Sequence, residues 1–421
     1  MKRRNLLIGA GAVTAAAAGG IVLWRPEDRG APHDAYFSTL NEMLKAEGPG
    51  RPVMLLDLTR MNHNIDVLVK SVGSDKTYRV VVKSLPSVEL LAHVMARADT
   101  RALMVFHQPF LNQIAESFPD SDVLMGKPMP VQAARVFYGK LGSSGFDPSR
   151  QLQWLVDTPQ RLGEYKALAA SLGLKLRINV EIDVGLHRGG VEDPDELASM
   201  LETIAADPEH LTFAGLMGYE PHLTGLGATL DHPAVRDVLG RYQACIDRVK
   251  SAGFDPDALT LNGAGSHTLR IYENDRTMND LAAGSGVVKP TDFDTHHLDD
   301  NQPAAFIAAP VLKTYDRLYA AGEPLAAELL EWFDPNMRRL HYIYGGYWKA
   351  RYISPPGIPE PLYHSTNQEP FTTSEAGALE VGDHAFLRPT QSERVLLQFG
   401  DLHVVENGVL VDRWSVFQDA G

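Results

Sequence analysis

Short apolar runs alternate with amphipathic stretches over the middle of the chain, from about residue 78 to residue 288. Apolar runs of four to eight residues are typical of buried strands, and apolar residues spaced three and four apart are typical of helices with one buried face. The runs predict eight strands, at residues 78–83, 102–107, 122–126, 152–157, 174–183, 211–219, 258–262 and 279–288. The stretches between them predict helices at 88–98, 110–118, 131–141, 160–172, 194–206, 234–252 and 269–273.

This alternation predicts an α/β fold. Strands separated by helices pair in parallel through right-handed crossovers. Eight such units fit a (β/α)8 TIM barrel, which we expect to span residues 51–290. A doubly wound open sheet is the competing arrangement, but its usual GxGxxG motif is absent after the first strand.

The pattern changes on both sides of the predicted barrel. Residues 51–58 predict a strand outside it, followed by a helix at 62–72. After residue 300 the apolar positions alternate or run together between turn signals, which predicts an all-β C-terminal domain over 300–421. Its predicted strands lie at 311–315, 339–344, 384–388, 395–399 and 402–414, with strand 51–58 as a further candidate member.

The N-terminus has the pattern of an export signal. Arg3 and Arg4 precede a mildly apolar stretch, residues 8–23, that is rich in Ala and Gly. Paired arginines in this position resemble a twin-arginine signal, so we expect residues 1–30 to direct the chain through the twin-arginine machinery to the periplasm. The stretch is shorter than the ~20 apolar residues of a typical membrane span, and both cleavage and retention as an anchor remain open.

Composition narrows the classes of partner. The chain has 39 basic and 53 acidic residues, a net charge of −14. Such an acidic chain is not expected to bind nucleic acid, and we expect membrane contact only through the N-terminal segment. The single cysteine, Cys245, excludes an intramolecular disulfide and a Cys-rich zinc site.

Candidate chemistry lies where predicted strands end, because active sites of such barrels are built at the C-terminal ends of the strands. The first strand ends in Lys83 after three valines, which predicts a partly desolvated, nucleophilic amine. The fifth strand leads into a glycine-rich loop with Arg188, whose planar guanidinium suits an oxygen anion. A lysine at a strand edge and a surface arginine are the alternatives.

Two small, glycine-rich loops follow the seventh and eighth strands, at residues 262–268 and 283–286. In barrels of this kind these positions bind phosphate through backbone N–H groups. The candidate phosphate ligands are Gly263, Gly265, Ser266, Gly284 and Ser285. A phosphate site facing a lysine at the end of the first strand points to pyridoxal phosphate, held as a Schiff base on Lys83.

Several segments resemble one family of enzymes. Residues 79–84 (RVVVKS) resemble an R-P-H-x-K-T segment, although valines replace its Pro and His. Residues 180–191 closely resemble V-E-I-D-V-G-x-x-R-x-G-V, and residues 213–219 resemble a segment that brings a tyrosine, here Tyr219, to the cofactor. Over most of residues 50–417 the chain resembles the D-threonine aldolase and D-serine dehydratase-like group of alanine-racemase-type (fold type III) pyridoxal-phosphate enzymes.

The resemblance implies a D-threonine-aldolase-like lyase that acts on a D-amino acid or a β-hydroxy-amino acid, and the N-terminal pattern adds that this enzyme is exported. It implies that Lys83, Arg188 and Tyr219 contact cofactor and substrate, that the substrate is a small amino acid, and that the protein is a homodimer. A racemase or D-serine dehydratase of the same fold, and a non-catalytic relative that binds the cofactor, are the alternatives.

The chain departs from the family at its metal site. The family has a Pro-x-His-x-(Cys or Asp) pair, and residues 389–393 read Pro-Thr-Gln-Ser-Glu here. Gln391 is a poor ligand beside histidine, so Gln391 and Glu393 are expected to hold at most a loosely bound hard cation. We therefore expect no tightly bound zinc, and aldol-type cleavage or racemisation rather than metal-dependent dehydration.

Overall fold

The computed structural model describes residues 25–143, 145–319 and 324–418. Most of the predicted export signal, residues 1–24, lies outside the described residues. Within the described part of the chain, no helix is both long and apolar enough to cross a membrane. The contacts divide the described residues into two compact units, one within residues 1–55, 306–390 and 405–412, the other within residues 56–305, 391–404 and 413–421.

Two elements precede the barrel: helix α1 (Ala35–Glu47) and strand β1 (Val53–Asp57). The Asp34 carboxylate accepts a hydrogen bond from the Phe37 backbone N–H and so caps the start of α1. The five residues of β1 are all buried, as expected for an apolar run inside a sheet.

Eight parallel strands close into a barrel in the second unit. They are β2 (Thr77–Val81), β3 (Ala102–Val105), β4 (Asp122–Met125), β5 (Leu152–Val156), β6 (Leu176–Glu181), β7 (Leu211–Met217), β8 (Thr260–Gly263) and β9 (Asp280–Ala283). The barrel closes where β2 pairs with β9, with Val80 opposite Ala283. The predicted TIM barrel is therefore confirmed, with each strand at its predicted place.

Helix α2 (Leu58–Val72) leads from β1 into β2. The helices between barrel strands are α3 (Val88–Ala98), α4 (Gln108–Ser117), α5 (Val131–Lys140), the short α6 (Pro148–Gln151), α7 (Pro159–Leu172), α8 (Pro194–Ala205) and α9 (Pro233–Ser251). The predicted helix at 269–273 is a 3-10 turn, Leu269–Tyr272. Strands predicted to run to 183, 219 and 288 end at Glu181, Met217 and Ala283, because the chain turns there into loops.

A buried arginine bridges barrel strands. Arg79 on β2 is 1% exposed, and its guanidinium donates to both carboxylate oxygens of Asp280 on β9 and to Asp122 on β4. Asn262 on β8 also donates to Asp280. The charge of Arg79 is thus paired inside the barrel, and its fork of donors joins three strands.

The other unit contains β1 and an eight-stranded sheet. Its further elements are β10 (Ala305–Tyr315), α10 (Pro324–Phe333), β11 (Arg339–Tyr344), β12 (Ala350–Ser354), β13 (Gln368–Thr373), β14 (His384–Pro389), β15 (Leu402–Glu406) and β16 (Val409–Trp414). The strand order in the sheet is β12-β14-β10-β1-β15-β16, with β11 paired to β10 and β13 paired to β11. The predicted β-domain is confirmed, with helix α10 as an addition that the sequence pattern did not predict.

Two details of this region differ from the expectation. The predicted strand at 395–399 is wrong, because residues Leu396–Gln398 form a 3-10 turn. The predicted strand at 402–414 is a hairpin of β15 and β16, which turns at Asn407 and Gly408 with positive φ at both residues. Residues 391–404, which the sequence pattern assigns to the C-terminal domain, group with the barrel.

Candidate active site

Lys83 lies in the 3-10 turn Val82–Ser84, directly after β2. Its Nζ is 3.0 Å from Oε1 of Glu393, and the Ser84 hydroxyl donates to the same oxygen at 3.1 Å. The ammonium also lies 5.0 Å from the centre of the Phe106 ring. Because the Lys83 side chain is 42% exposed, it is reachable from the cavity at this end of the barrel.

The two predicted phosphate loops come together at this cavity. Ser266 Oγ accepts hydrogen bonds from the backbone N–H groups of Gly284 and Gly286, at 3.2 and 3.0 Å. Ser285 Oγ is 3.0 Å from both the Ser84 and Ser392 hydroxyls. Ser266 therefore fixes one loop against the other, and Ser285 fixes the second loop beside Lys83.

The loop at residues 262–268 has backbone N–H groups that can bind a ligand. Among the described residues, the N–H groups of Ser266 and His267 have no hydrogen-bond acceptor. Both residues line the cavity, so these donors are available to an anion there. Ala264, two residues before Ser266, has a φ of 66°. This value is strained for a residue that carries a side chain, and it turns the backbone at this loop.

Two glycines in these loops are required by close contacts. A Cβ on Gly265 would lie 2.8 Å from Cε2 of Tyr219, and one on Gly284 would lie 2.8 Å from Cβ of Val81. Gly263 lies at the end of β8, where a Cβ would meet the sulfur of Met278, and it is not among the residues lining the cavity. Four of the five predicted phosphate ligands thus border the cavity.

Arg188 and Tyr219 meet on the cavity wall. The Arg188 guanidinium carbon is 5.2 Å from the centre of the Tyr219 ring, within cation–π range. The loop that carries Arg188 is held by Asp183, which accepts hydrogen bonds from the backbone N–H groups of Gly185 and His187. Although burial raises the pKa of Asp183, these donors bring it below its usual value, so this carboxylate stays ionised and braces the loop.

Two further carboxyl groups lie near the site. Glu220 follows Tyr219, is 1% exposed and accepts a 2.6 Å hydrogen bond from the Thr268 hydroxyl. Burial raises the pKa of Glu220 to about 7, and burial also raises the pKa of Glu181 to about 7. Glu220 was not predicted, although its place at the end of the sixth predicted strand was a usable signal.

Aromatic residues that the sequence analysis did not single out complete the cavity. The His267 ring stacks on Phe293 with ring centres 4.1 Å apart, and both line the cavity together with Phe106. Burial lowers the pKa of His267 below its usual value, which favours the neutral ring.

The two residues predicted to bind a metal, Gln391 and Glu393, do not lie at the same site. Glu393 lines the cavity, whereas Gln391 is exposed and is not among its lining residues. Glu393 Oε1 already accepts from Lys83 and Ser84. These two residues do not fit a closed zinc site, which needs four convergent ligands. Elsewhere in the described part of the chain, the ligand atoms of Asp183, His187 and Glu192 lie within 4.8 Å of one another.

The comparisons with known proteins identify the family of the barrel. Residues 56–288 match the family described as alanine racemase, N-terminal domain. The chain belongs to this family. The predicted resemblance to alanine-racemase-type (fold type III) pyridoxal-phosphate enzymes is thereby confirmed.

Related proteins of known activity cover part or most of the chain. The 3-hydroxy-D-aspartate aldolase of Paracoccus denitrificans (strain Pd 1222) is 28% identical over 143 residues, 34% of this chain and 36% of that protein. The match thus spans about a third of this relative.

Solved structures match over a larger part. The D-threonine aldolase from Filomicrobium marinum has a TM-score of 0.68 at 16% identity, covering 87% of this chain and 96% of that one. The D-threo-3-hydroxyaspartate dehydratase from Delftia sp. HT23 has a TM-score of 0.67 at 16% identity, covering 87% and 97%. These likenesses show the fold.

Proposed function

We propose that this protein is a pyridoxal-phosphate-dependent lyase that cleaves a β-hydroxy-D-amino acid, with Lys83 as the residue that binds the cofactor covalently. The observation that carries the proposal is the position of the Lys83 amine in a cavity bordered by both glycine-rich loops and by Arg188. The named activities of the similar proteins, aldolases and dehydratases of hydroxy-amino acids, support the substrate class.

The residues at this cavity fit the cofactor. The N–H groups of Ser266 and His267 suit its phosphate, the small residues Gly265 and Gly284 allow close approach, and Arg188 suits its phenolate oxygen or the substrate carboxylate. When bound, pyridoxal phosphate supplies an electron sink for the carbanion at the substrate's Cα. Tyr219 forms the wall beside these groups and holds Arg188 by its ring.

Lys83 and Glu393 are the groups to which we assign the proton transfers. In aldol cleavage a base removes the proton of the β-hydroxyl group. The electron pair of the broken O–H bond then forms the C=O bond of an aldehyde, and the Cα–Cβ bond breaks to release this aldehyde. A proton delivered to Cα then gives glycine when the substrate is a β-hydroxy-amino acid. We assign the first proton transfer to Glu393, because its carboxylate lies beside the Lys83 amine, and the proton at Cα to Lys83.

Borohydride trapping and product analysis test this function. Protein incubated with pyridoxal phosphate is reduced with borohydride, digested and mapped; the label is expected on Lys83. Lys127 is exposed and also follows a barrel strand, so Lys127→Met serves as the control for Lys83→Met. Glycine plus an aldehyde from β-hydroxy-D-amino acids supports the proposal. A label on another lysine contradicts the assignment of Lys83, while a keto acid plus ammonia, or inversion at Cα, would establish a dehydratase or a racemase instead.

We further propose that the protein is exported to the periplasm by the twin-arginine route, that an uncleaved N-terminal segment anchors it to the membrane, and that it is a homodimer. The pattern of Arg3 and Arg4 before residues 8–23 supports export, the apolar character of residues 8–23 supports the anchor, and the family resemblance supports the dimer. Substituting lysine for both arginines should leave the protein in the cytoplasm. Continued export of that variant would contradict the route, and a monomeric mass in light scattering would contradict the dimer.

A further inference from the structure

Helix α10 carries an apolar face that points away from its own unit. Leu325, Leu329 and Trp332 are 74%, 65% and 60% exposed. They are spaced four and three residues apart and therefore share one side of the helix. Exposed side chains of this size are common singly, but a contiguous group of them marks an interaction surface.

The opposite side of the helix is the one that packs. Ala327 is buried in a cluster with Leu318 and Leu340. The Glu331 carboxylate accepts a hydrogen bond from the Leu318 backbone N–H. The helix is thus fixed to its unit by Ala327 and Glu331, and this attachment leaves the face of Leu325, Leu329 and Trp332 outward.

Arg25, the first residue that the structure describes, lies beside this helix. Arg25 Nε donates a 3.2 Å hydrogen bond to the backbone carbonyl of Phe333, the last residue of α10. Arg25 directly follows the apolar stretch at residues 8–23 and Trp24. The C-terminal end of α10 therefore lies beside Arg25, the residue that follows this N-terminal segment in the sequence.

We infer that α10 lies on a lipid bilayer and inserts Leu325, Leu329 and Trp332 into its interfacial layer. This inference rests on the proposed membrane anchor, because an anchor ending at Arg25 brings the bilayer surface to α10. Leucine and tryptophan are residues that interfacial helices present to the bilayer. The chain carries a net charge of −14, so the attraction is expected to come from apolar burial rather than from anionic lipid headgroups.

A fluorophore placed on the helix tests this in the full-length protein. Cys245 is buried, so Leu329→Cys can be labelled selectively with a polarity-sensitive probe. Val409→Cys is the matched control, an exposed apolar position on β16, at the far end of the sheet order from β12. The vesicles are neutral phosphatidylcholine, with a second set containing phosphatidylglycerol.

Flotation with the vesicles reports the anchor, and the probe reports the helix. We expect the labelled protein to float, the probe at 329 to shift to the blue in both vesicle types and to be quenched by brominated lipid, and the probe at 409 to remain in water.

Flotation with an aqueous probe at 329 overturns this inference and leaves the anchor standing, whereas failure to float overturns both. A probe already shielded without vesicles would assign the face to the N-terminal segment, and shielding that rises with protein concentration would assign it to a second copy; either result overturns the lipid assignment.

Discussion

The Glu393 carboxylate lies 3.0 Å from the Lys83 amine, although 310 residues separate the two in sequence. Residues 391–404 group with the barrel unit, and this return of the chain brings Glu393 to the candidate cofactor lysine. A partly exposed ion pair of this kind adds little to stability. Its role is chemical, since it sets a proton acceptor beside the amine.

Glu393→Gln tests that role. The amide keeps the size of the side chain but removes its charge and its ability to take a proton. We expect cofactor trapping on Lys83 to persist while kcat/KM for β-hydroxy-amino acid cleavage falls by about 100-fold or more, the range for loss of a general base. Steady-state kinetics and borohydride mapping measure the two effects separately.

Glu202→Gln, on the exposed side of α8, is the control and should leave both quantities unchanged. Full activity of Glu393→Gln would remove Glu393 from the mechanism. Loss of trapping in proportion to activity would make it a residue that positions Lys83 instead.

Arg188→Lys should impair the reaction without unfolding the protein. Lysine keeps the positive charge but loses the planar pair of donors and the stacking on Tyr219. We expect kcat/KM to fall by about 100-fold, as for loss of one positioned donor to a developing charge. Arg241→Lys, at an exposed ion pair on α9, is the matched control, and equal kinetics for the two variants would make Arg188 a surface residue.

Gly265→Ala should weaken cofactor binding through Tyr219. The added methyl would meet the Tyr219 ring at 2.8 Å, so the ring or the loop must shift. We expect the dissociation constant for pyridoxal phosphate to rise at least about tenfold, equivalent to ~1.4 kcal/mol, with a smaller loss of unfolding free energy.

Gly163→Ala serves as its control, because a Cβ at this position in α7 meets nothing within 4 Å. Relief of glycine's flexibility in a helix should stabilise that variant by roughly 0.5–1 kcal/mol with unchanged cofactor affinity. If Gly265→Ala lost stability as much as affinity, the loop would be a tight turn without a binding role.

The sequence predicts the barrel well because its strands are separate apolar runs, each followed by a helix with a clear buried face. Lys83 and the loops at 262–268 and 283–286 follow from the rule that strand ends carry the site. The apolar pattern does not predict strands β12 and β13. Strand β12 is only partly buried, and β13 contains Pro370, which interrupts the sequence pattern of a strand.

Long-range contacts limit what local pattern can predict. The partner of Lys83, the burial of Glu220 and the separation of Gln391 from Glu393 depend on how distant segments meet. Alternation along 389–393 indicates that Gln391 and Glu393 share one side of an extended strand, but β14 ends at Pro389 and the chain turns after it. The expected metal pair is therefore split by a strand end that periodicity does not reveal.

Metal analysis should find no stoichiometric zinc in the dialysed protein. Gln391 does not line the cavity and Glu393 Oε1 is occupied by the Lys83 and Ser84 donors, so the ligands for a tight site do not converge there. We expect activity to survive a zinc-selective chelator, with at most a weak response to added Mg²⁺ or Mn²⁺. One zinc per chain after dialysis, with activity lost on chelation, would reveal a replacement site, and Asp183, His187 and Glu192 would be the first residues to substitute.

Glu220→Gln should change the pH dependence of stability. Burial raises the pKa of Glu220 from 4.5 to about 7, so the folded protein binds this proton more tightly than the unfolded chain does. Stability from this group is therefore present in full below pH 4.5 and falls as pH rises towards 7, by about 3 kcal/mol in all. Glutamine keeps an oxygen that can accept from the Thr268 hydroxyl and has no proton to lose. Urea unfolding at pH 4.5 and pH 7.5 should thus show the variant gaining about 3 kcal/mol relative to the wild type over that interval.

Glu181→Gln, at the second carboxyl group whose pKa burial raises to about 7, should change the slope independently. An identical pH slope for wild type and Glu220→Gln would mean that the pKa of Glu220 is the same in the folded protein and in the unfolded chain, which contradicts this prediction.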